Sequence, residues 1–230
     1  KPEKRTIEGQ KIWNDNNNQD GKRPTSIKIK LYKKVGNNNQ EYVTEKVVTE
    51  GADKAWKWKF ENLDKYENKQ EIQYTVEEEA VGEGYVGIVT GSMAAGFKIT
   101  NSRTPEVVNV QGTKTWDDSN NQDGKRPDKI KVILNKTVDG QTTKVTEKEV
   151  TKDNWNYEFN DLPKYENGKE ITYSIDEEAV PGYEKEVTGY NLKNSHTPEK
   201  VNVQGTKTWD DSNNQDGKRP DKIKVILNKT

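Results

Sequence analysis

Through most of the chain apolar residues recur at every second position. Ile27, Ile29 and Leu31 alternate with lysines, and Ile130, Val132 and Leu134 repeat the pattern. Trp56, Trp58 and Phe60 alternate with Lys57 and Lys59, and Trp155, Tyr157 and Phe159 occupy the matching places further on. A period of two, bounded by clusters of Gly, Asn, Asp and Pro, predicts half-buried strands, and no stretch keeps a long helical period. Strands with one apolar and one charged face belong to antiparallel sheets that stack in pairs, so the expected fold is all-β and sandwich-like.

The same pattern is written more than once. VNVQGTKTWDDSNNQDGKRPDKIKVILNKT runs from Val108 to Thr137 and again, unchanged, from Val201 to Thr230. A diverged copy runs from Arg5, with GQKIWNDNNNQDGKRPTSIKIKLY from Gly9, and ENLDKYENKQEIQYTVEEEAV from Glu61 corresponds to NDLPKYENGKEITYSIDEEAV from Asn160. These repeats predict two complete domains, 5–104 and 107–197, and the N-terminal third of another at 200–230. Each unit is of a size to own its core. The connectors NSRTPE and NSHTPE are short, polar and proline-bearing, which predicts semi-rigid spacing.

Composition makes such cores thin. Apolar residues are 28% of the chain, yet 38 basic and 39 acidic residues nearly cancel, and 6 Trp with 10 Tyr supply large buriable surfaces, so the chain reads as folded. Cys is absent, which removes disulfides, thiolate metal sites and Cys nucleophiles. The single His excludes His-based triads and multi-His ligand sets, and His196, beside Pro198 in NSHTPE, reads as an exposed linker residue. The charge balance argues against nucleic acid as a partner, and no apolar stretch reaches membrane-spanning length, so no membrane insertion is expected. Neither a signal peptide nor an anchoring tail is visible, and the chain reads as a segment of something longer. The loops NDNNNQDG and DDSNNQDG superficially resemble calcium loops. Aligned on Gly21 or Gly124, however, they place Ile27 or Ile130 where a bidentate Glu is required. They read as Asx-turn loops, with no metal and no cofactor expected. Trp13, Trp56, Trp58, Trp116, Trp155 and Trp209 all fall at core registers.

Strand parity places three polar residues per repeat among the inward positions. Ile7, Gly9, Lys11 and Trp13 share a face, as do Val110, Gly112, Lys114 and Trp116. Ile72, Tyr74, Val76 and Glu78 share another, matched by Ile171, Tyr173, Ile175 and Glu177. In the last strand the inward set is Phe97, Ile99 and Asn101, matched by Tyr190, Leu192 and Asn194. Burial lowers a Lys pKa and raises a Glu pKa, so a neutral amine beside a neutral acid is the low-cost state. A neutral amine is a nucleophile and a protonated carboxyl can polarise a carboxamide, which permits amide exchange between Lys and Asn. A buried ion pair with hydrogen bonds and no covalent chemistry is the other reading. A bulge would shift the choice of acid to Glu77 or Glu79, or to Asp176 or Glu178.

GQKIW and GTKTW, the NQDGKRP loop, the YTVEE and YSIDE strands and the ITN or LKN endings together resemble the Cna B-type domains of Gram-positive surface adhesins. The resemblance covers nearly the whole chain. It implies tandem inverse immunoglobulin-like, prealbumin-like β-sandwiches with autocatalytic isopeptide bonds from Lys11 to Asn101, assisted by Glu78, and from Lys114 to Asn194, assisted by Glu177. It further implies a stalk segment of a secreted, wall-anchored adhesin, attached through a C-terminal region, rather than a turnover enzyme. The implied partners are neighbouring repeats of the same chain and the ligand-binding region of the parent adhesin, in a monomer. The alternative is a module that itself binds a host extracellular-matrix protein or glycan; a hydrolase has no ordered nucleophile, base and oxyanion arrangement to support it.

Overall fold

The alternating segments are strands in the structure, a computed structural model that describes residues 1–230. The first repeat contains β1 (Lys4–Asn14), β2 (Ser26–Val35), β3 (Glu41–Thr49), β4 (Trp56–Asp64), β5 (Tyr66–Glu67), β6 (Gln70–Glu78), β7 (Val86–Ser92) and β8 (Gly96–Ser102). They form two four-stranded sheets, ordered β4-β1-β8-β7 and β3-β2-β6-β5. Ile7, Trp58 and Ile99 from one sheet and Ile29, Leu31 and Val76 from the other join a single cluster of 14 buried apolar residues, so the sheets stack face to face.

The second repeat follows the same plan with β9 (Val107–Asp117), β10 (Lys129–Val138), β11 (Gln141–Thr151), β12 (Asn156–Pro163), β13 (Tyr165–Glu166), β14 (Lys169–Glu170), β15 (Thr172–Glu177), β16 (Glu184–Thr188) and β17 (Asn191–Ser195). Its sheets are β12-β9-β17-β16 and β11-β10-β15, with β13 and β14 as a short hairpin, around a separate cluster of 11 buried apolar residues.

In each repeat the first strand lies between an antiparallel neighbour and the last strand, which runs parallel to it: β1 pairs with β8 in the register Lys11↔Ile99 and Trp13↔Asn101. Close approach at the first strand requires Gly9 and Gly112. A Cβ on Gly9 would stand 2.4 Å from both the Phe97 carbonyl oxygen and the Trp58 ring. At Gly112 it would stand 1.9 Å from the Tyr190 carbonyl oxygen.

Two inward expectations fail. Tyr190 is 39% exposed because β17 begins one residue later, and its carbonyl instead accepts a hydrogen bond from the Tyr157 hydroxyl. Trp209 is likewise 39% exposed. Its segment is identical to β9, yet residues 200–210 form no strand, because no β12 or β17 lies alongside to complete the ladder. Strand formation depends on such neighbours. The Asn-rich loop is different, since it is held locally. Asp211 accepts from Arg219 Nε at 2.9 Å and from the Asn214 amide at 3.1 Å even in this strandless segment. Asp15 with Arg23 and Asn18, and Asp118 with Arg126 and Asn121, make the same contacts in the two complete repeats.

The linkers are tied down. Asp20 accepts from the Glu106 amide at 2.9 Å and pairs with Arg103, while the Gly168 amide of the second repeat donates to the Gln19 carbonyl of the first at 2.9 Å. After the second repeat, Asp123 accepts from the Glu199 amide at 2.9 Å and pairs with His196. His196 is therefore not the exposed linker residue expected: its side chain is only 11% accessible, and both ring nitrogens face acceptors.

Candidate functional site

Inward parity brings Lys11, Glu78 and Asn101 together inside the first sandwich. Lys11 and Asn101 sit on the adjacent parallel strands β1 and β8 of one sheet, and Glu78 reaches across from the end of β6 in the other. The Lys11 side chain is fully inaccessible, the Glu78 side chain is 7% accessible, and Asn101 is buried. Lys11 Nζ lies 3.6 Å from Glu78 Oε1. In the second sandwich the Lys114 and Glu177 side chains are both fully inaccessible, with Nζ 2.5 Å from Oε1, and Asn194 is buried beside them on β17. The flanking acids point elsewhere. Glu77 is exposed, Glu79 pairs with Lys28 and Lys30 on the surface, Asp176 pairs with Lys185, and Glu178 pairs with Lys131.

Burial sets the electrostatics. It pushes the Lys11 amine down to about 8 against the opposing pull of Glu78, and it raises the Glu78 carboxyl against the pull of Lys11. The Lys114 amine is lowered for the same reason. Both shifts in the first repeat favour the neutral forms, and about a tenth of the Lys11 amine is then free at neutral pH, far more than for an ordinary lysine.

Four buried side-chain oxygens of these trios have no hydrogen-bond partner: Glu78 Oε1, Asn101 Oδ1, Glu177 Oε2 and Asn194 Oδ1. Native interiors leave few polar atoms unpaired, and each carries a cost of about 1–3 kcal/mol. Asp20 Oδ1 and the Nε1 atoms of Trp13, Trp56, Trp58 and Trp116 are also unpaired, but only these four sit, in both repeats, on the acid and the carboxamide beside a buried amine. Such an arrangement can exchange one amide for another. No cluster of ligating side chains suited to a metal ion accompanies it.

Two neighbours of the trio were not legible as such. Trp13 and Trp116 have the inward parity expected, but their rings also cover the amines, with Lys11 Nζ 4.0 Å and Lys114 Nζ 4.4 Å from the ring centroids. Gly87 on β7 pairs with Asn101, and a Cβ there would stand 2.7 Å from Asn101 Oδ1 and 3.0 Å from Glu78 Oε2. Carboxamide and carboxyl therefore converge on the space this glycine leaves open. In the second repeat Lys185 takes the equivalent position and donates to the Glu177 carbonyl at 3.0 Å. Gly87→Ala is expected to displace the Asn101 carboxamide and slow any reaction of the first trio without touching the second. Peptide mapping of chains collected at timed intervals after synthesis reads the two sites separately, and an unchanged rate at the first site in this variant would contradict the expectation.

A second polar cluster lies beside the trio at the mouth of the Asn-rich loop. Asp15 accepts from Tyr85 at 2.7 Å and from Arg23 Nη2 at 2.7 Å, and Asp118 does the same with Tyr183 and Arg126. Burial opposes ionisation of Asp15, but the Arg23 and Tyr85 hydrogen bonds outweigh it and hold the carboxyl below its ordinary value. Hydrogen bonding from Arg126 does so for Asp118. The threefold spacing of Asp and Arg across the loop was the available signal for this cluster.

The family model described as Cna protein B-type domain matches residues 7–102, 110–195 and 203–230. A collagen adhesin of Staphylococcus aureus is 43% identical over 218 residues, covering 94% of this chain. The chain spans only 18% of that relative's length. The crystal structure of two B repeat units of the collagen binding protein of S. aureus superposes with a TM-score of 0.70 at 41% identity, covering 94% of this chain and 56% of that one.

Proposed function

The chain belongs to the Cna protein B-type domain family, and from that premise we propose that it is a spacer segment of a cell-surface adhesin whose repeats lock themselves with Lys–Asn isopeptide bonds. The observation that carries the reading is, in both repeats, a buried amine paired with a buried carboxyl beside a carboxamide whose oxygen has no hydrogen-bond partner. In the first repeat the neutral Lys11 Nζ attacks Asn101 Cγ. Glu78 donates its proton to the departing amide nitrogen and recovers one from the attacking amine. The Nζ–Cγ bond forms, the Cγ–Nδ2 bond breaks, and ammonia leaves. Lys114, Asn194 and Glu177 perform the same exchange in the second repeat. The fold supplies proximity and orientation. Each site reacts once, so Glu78 and Glu177 act without turnover.

Topology gives the bond its mechanical use. The chain enters at the start of β1 and leaves at the end of β8, and these strands are adjacent and parallel. Tension between the termini therefore shears one against the other. A bond from Lys11 to Asn101 carries the load across, so the segment between them lies outside the load path. Each repeat clamps the linker that follows it, and the Gly168–Gln19 hydrogen bond joins the two repeats directly, as suits a spacer. By analogy with the S. aureus relative, the setting is extracellular, with the wall attachment and the ligand-binding region in other parts of the parent protein.

Pulling the chain from its termini tests the mechanical role. The cross-linked protein is expected to reach covalent rupture without releasing either repeat. A release of about 300 Å per repeat, the contour of some ninety residues, would contradict it.

A further inference from the structure

The two linkers start from equivalent positions but are held by different side chains. The first is held by Arg103, which pairs with Asp20, donates to the Glu83 carbonyl at 2.7 Å and reaches Glu106 at 3.0 Å. A guanidinium keeps its proton throughout the physiological range. The second is held by His196. Its Nδ1 lies 2.8 Å from the Gly182 carbonyl oxygen and its Nε2 lies 3.0 Å from Asp123 Oδ2. Both partners are acceptors only. A neutral imidazole has one N–H and can satisfy one of them, whereas the imidazolium satisfies both.

The same Asp123 oxygen also accepts from the Glu199 amide, so the contact that holds the ring also sets the exit direction of the chain. We propose that the second linker is a proton-operated clamp: with His196 protonated both ring contacts hold and the exit of the chain is fixed, and with His196 neutral one contact is lost and the exit is loosened, so that whatever follows can reorient, while the Arg103 linker stays fixed throughout.

The surrounding groups favour this polarity. From the loop after β9, Asp123 and Lys125 face the ring, and the His196 amide donates to the Asp117 carbonyl at the end of β9. From the segment before β16, the Tyr183 ring lies 5.3 Å away, with its hydroxyl committed to Asp118, which Arg126 neutralises. On the linker itself Glu199 pairs with Lys125. The carboxylate in contact is thus Asp123, and the nearest cation, Lys125, is already paired. The Asp123 hydrogen bond, followed by the Gly182 carbonyl, raises the His196 pKa above its ordinary value. With a raised folded-state pKa, the contribution is complete below the ordinary histidine value and is lost as pH rises through the raised one.

The test is amide hydrogen exchange of the full chain by NMR, expressed as protection factors to remove the intrinsic pH dependence, alongside the His196 ring titration. Between about pH 5 and about pH 8, where histidine titrates, Glu199 protection is expected to fall about tenfold. That is the worth of one hydrogen bond to a charged group. The fall should share its midpoint with His196, while Glu106 protection stays constant. His196→Arg is expected to hold Glu199 protection constant as well. Constant Glu199 protection in the wild type while His196 titrates, or an undiminished fall in His196→Arg, would overturn the clamp.

Discussion

Replacing Glu78 and Glu177 together by Ala is expected to give a chain that folds but retains its full sequence mass, with both lysines as free amines. No other uncommitted acid lies at either site, since Asp15 and Asp118 beside them are engaged by Arg and Tyr. The Trp13 and Trp116 rings that cover the amines have no exchangeable group suited to the task, and the flanking acids are engaged on the surface. The isolated Lys left behind becomes neutral by desolvation instead of remaining a buried cation, so the variant keeps its nucleophile and loses only the shuttle. Glu78→Gln with Glu177→Gln preserves volume and hydrogen bonding and is expected to give the same mass. Each single replacement should block one bond and leave the other. A glutamine variant that cross-links at the wild-type rate would remove the carboxyls from the mechanism.

Asn101→Ala with Asn194→Ala is expected to lower the melting temperature by about 20–30 °C. These variants keep the Lys–Glu pairs and remove only the electrophile. The bond would close a loop from near the end of β1 (Lys11) to near the end of β8 (Asn101), most of the repeat. By the chain-entropy account of a covalent cross-link, closing a loop of that size stabilises a domain by about 4–5 kcal/mol. That equals the entire margin of many small domains, and each kcal/mol shifts the melting point of a domain this size by about 4–8 °C. The effect is large because the cores are small: 14 buried apolar residues in one repeat and 11 in the other. The numerous surface ion pairs contribute little each. Calorimetry checks the shift, and a change of only a few degrees would mean that no long loop had been closed.

Much of this was legible in advance because strand parity is strict. Once Ile7 and Ile99 were assigned inward, Lys11 and Asn101 had to follow, and Glu78 was separated from Glu77 and Glu79 by the same count. Legibility stopped where the deciding neighbour lay on another segment. That Trp13 covers the Lys11 amine, and that Gly87 leaves room for the Asn101 carboxamide, are relations across strands which no spacing within one strand records. His196 looked like solvent-exposed linker because Asp123, its partner, lies far back in the chain. Trp209 marks the opposite limit. Its sequence matches that of Trp116, but parity has meaning only where a sheet forms, and residues 200–210 have no sheet to join. The neighbouring Asp211–Arg219 loop forms without one because all its bonds are local.

One covalent event per complete repeat underlies the stability and the mechanical role, and the intact mass of the folded wild-type chain tests it most directly. Two isopeptide bonds predict a mass lower than the sequence mass by two molecules of ammonia, with Lys207, which has no counterpart of Glu177 or Asn194, unmodified. A fully folded chain at its unaltered sequence mass would contradict the account.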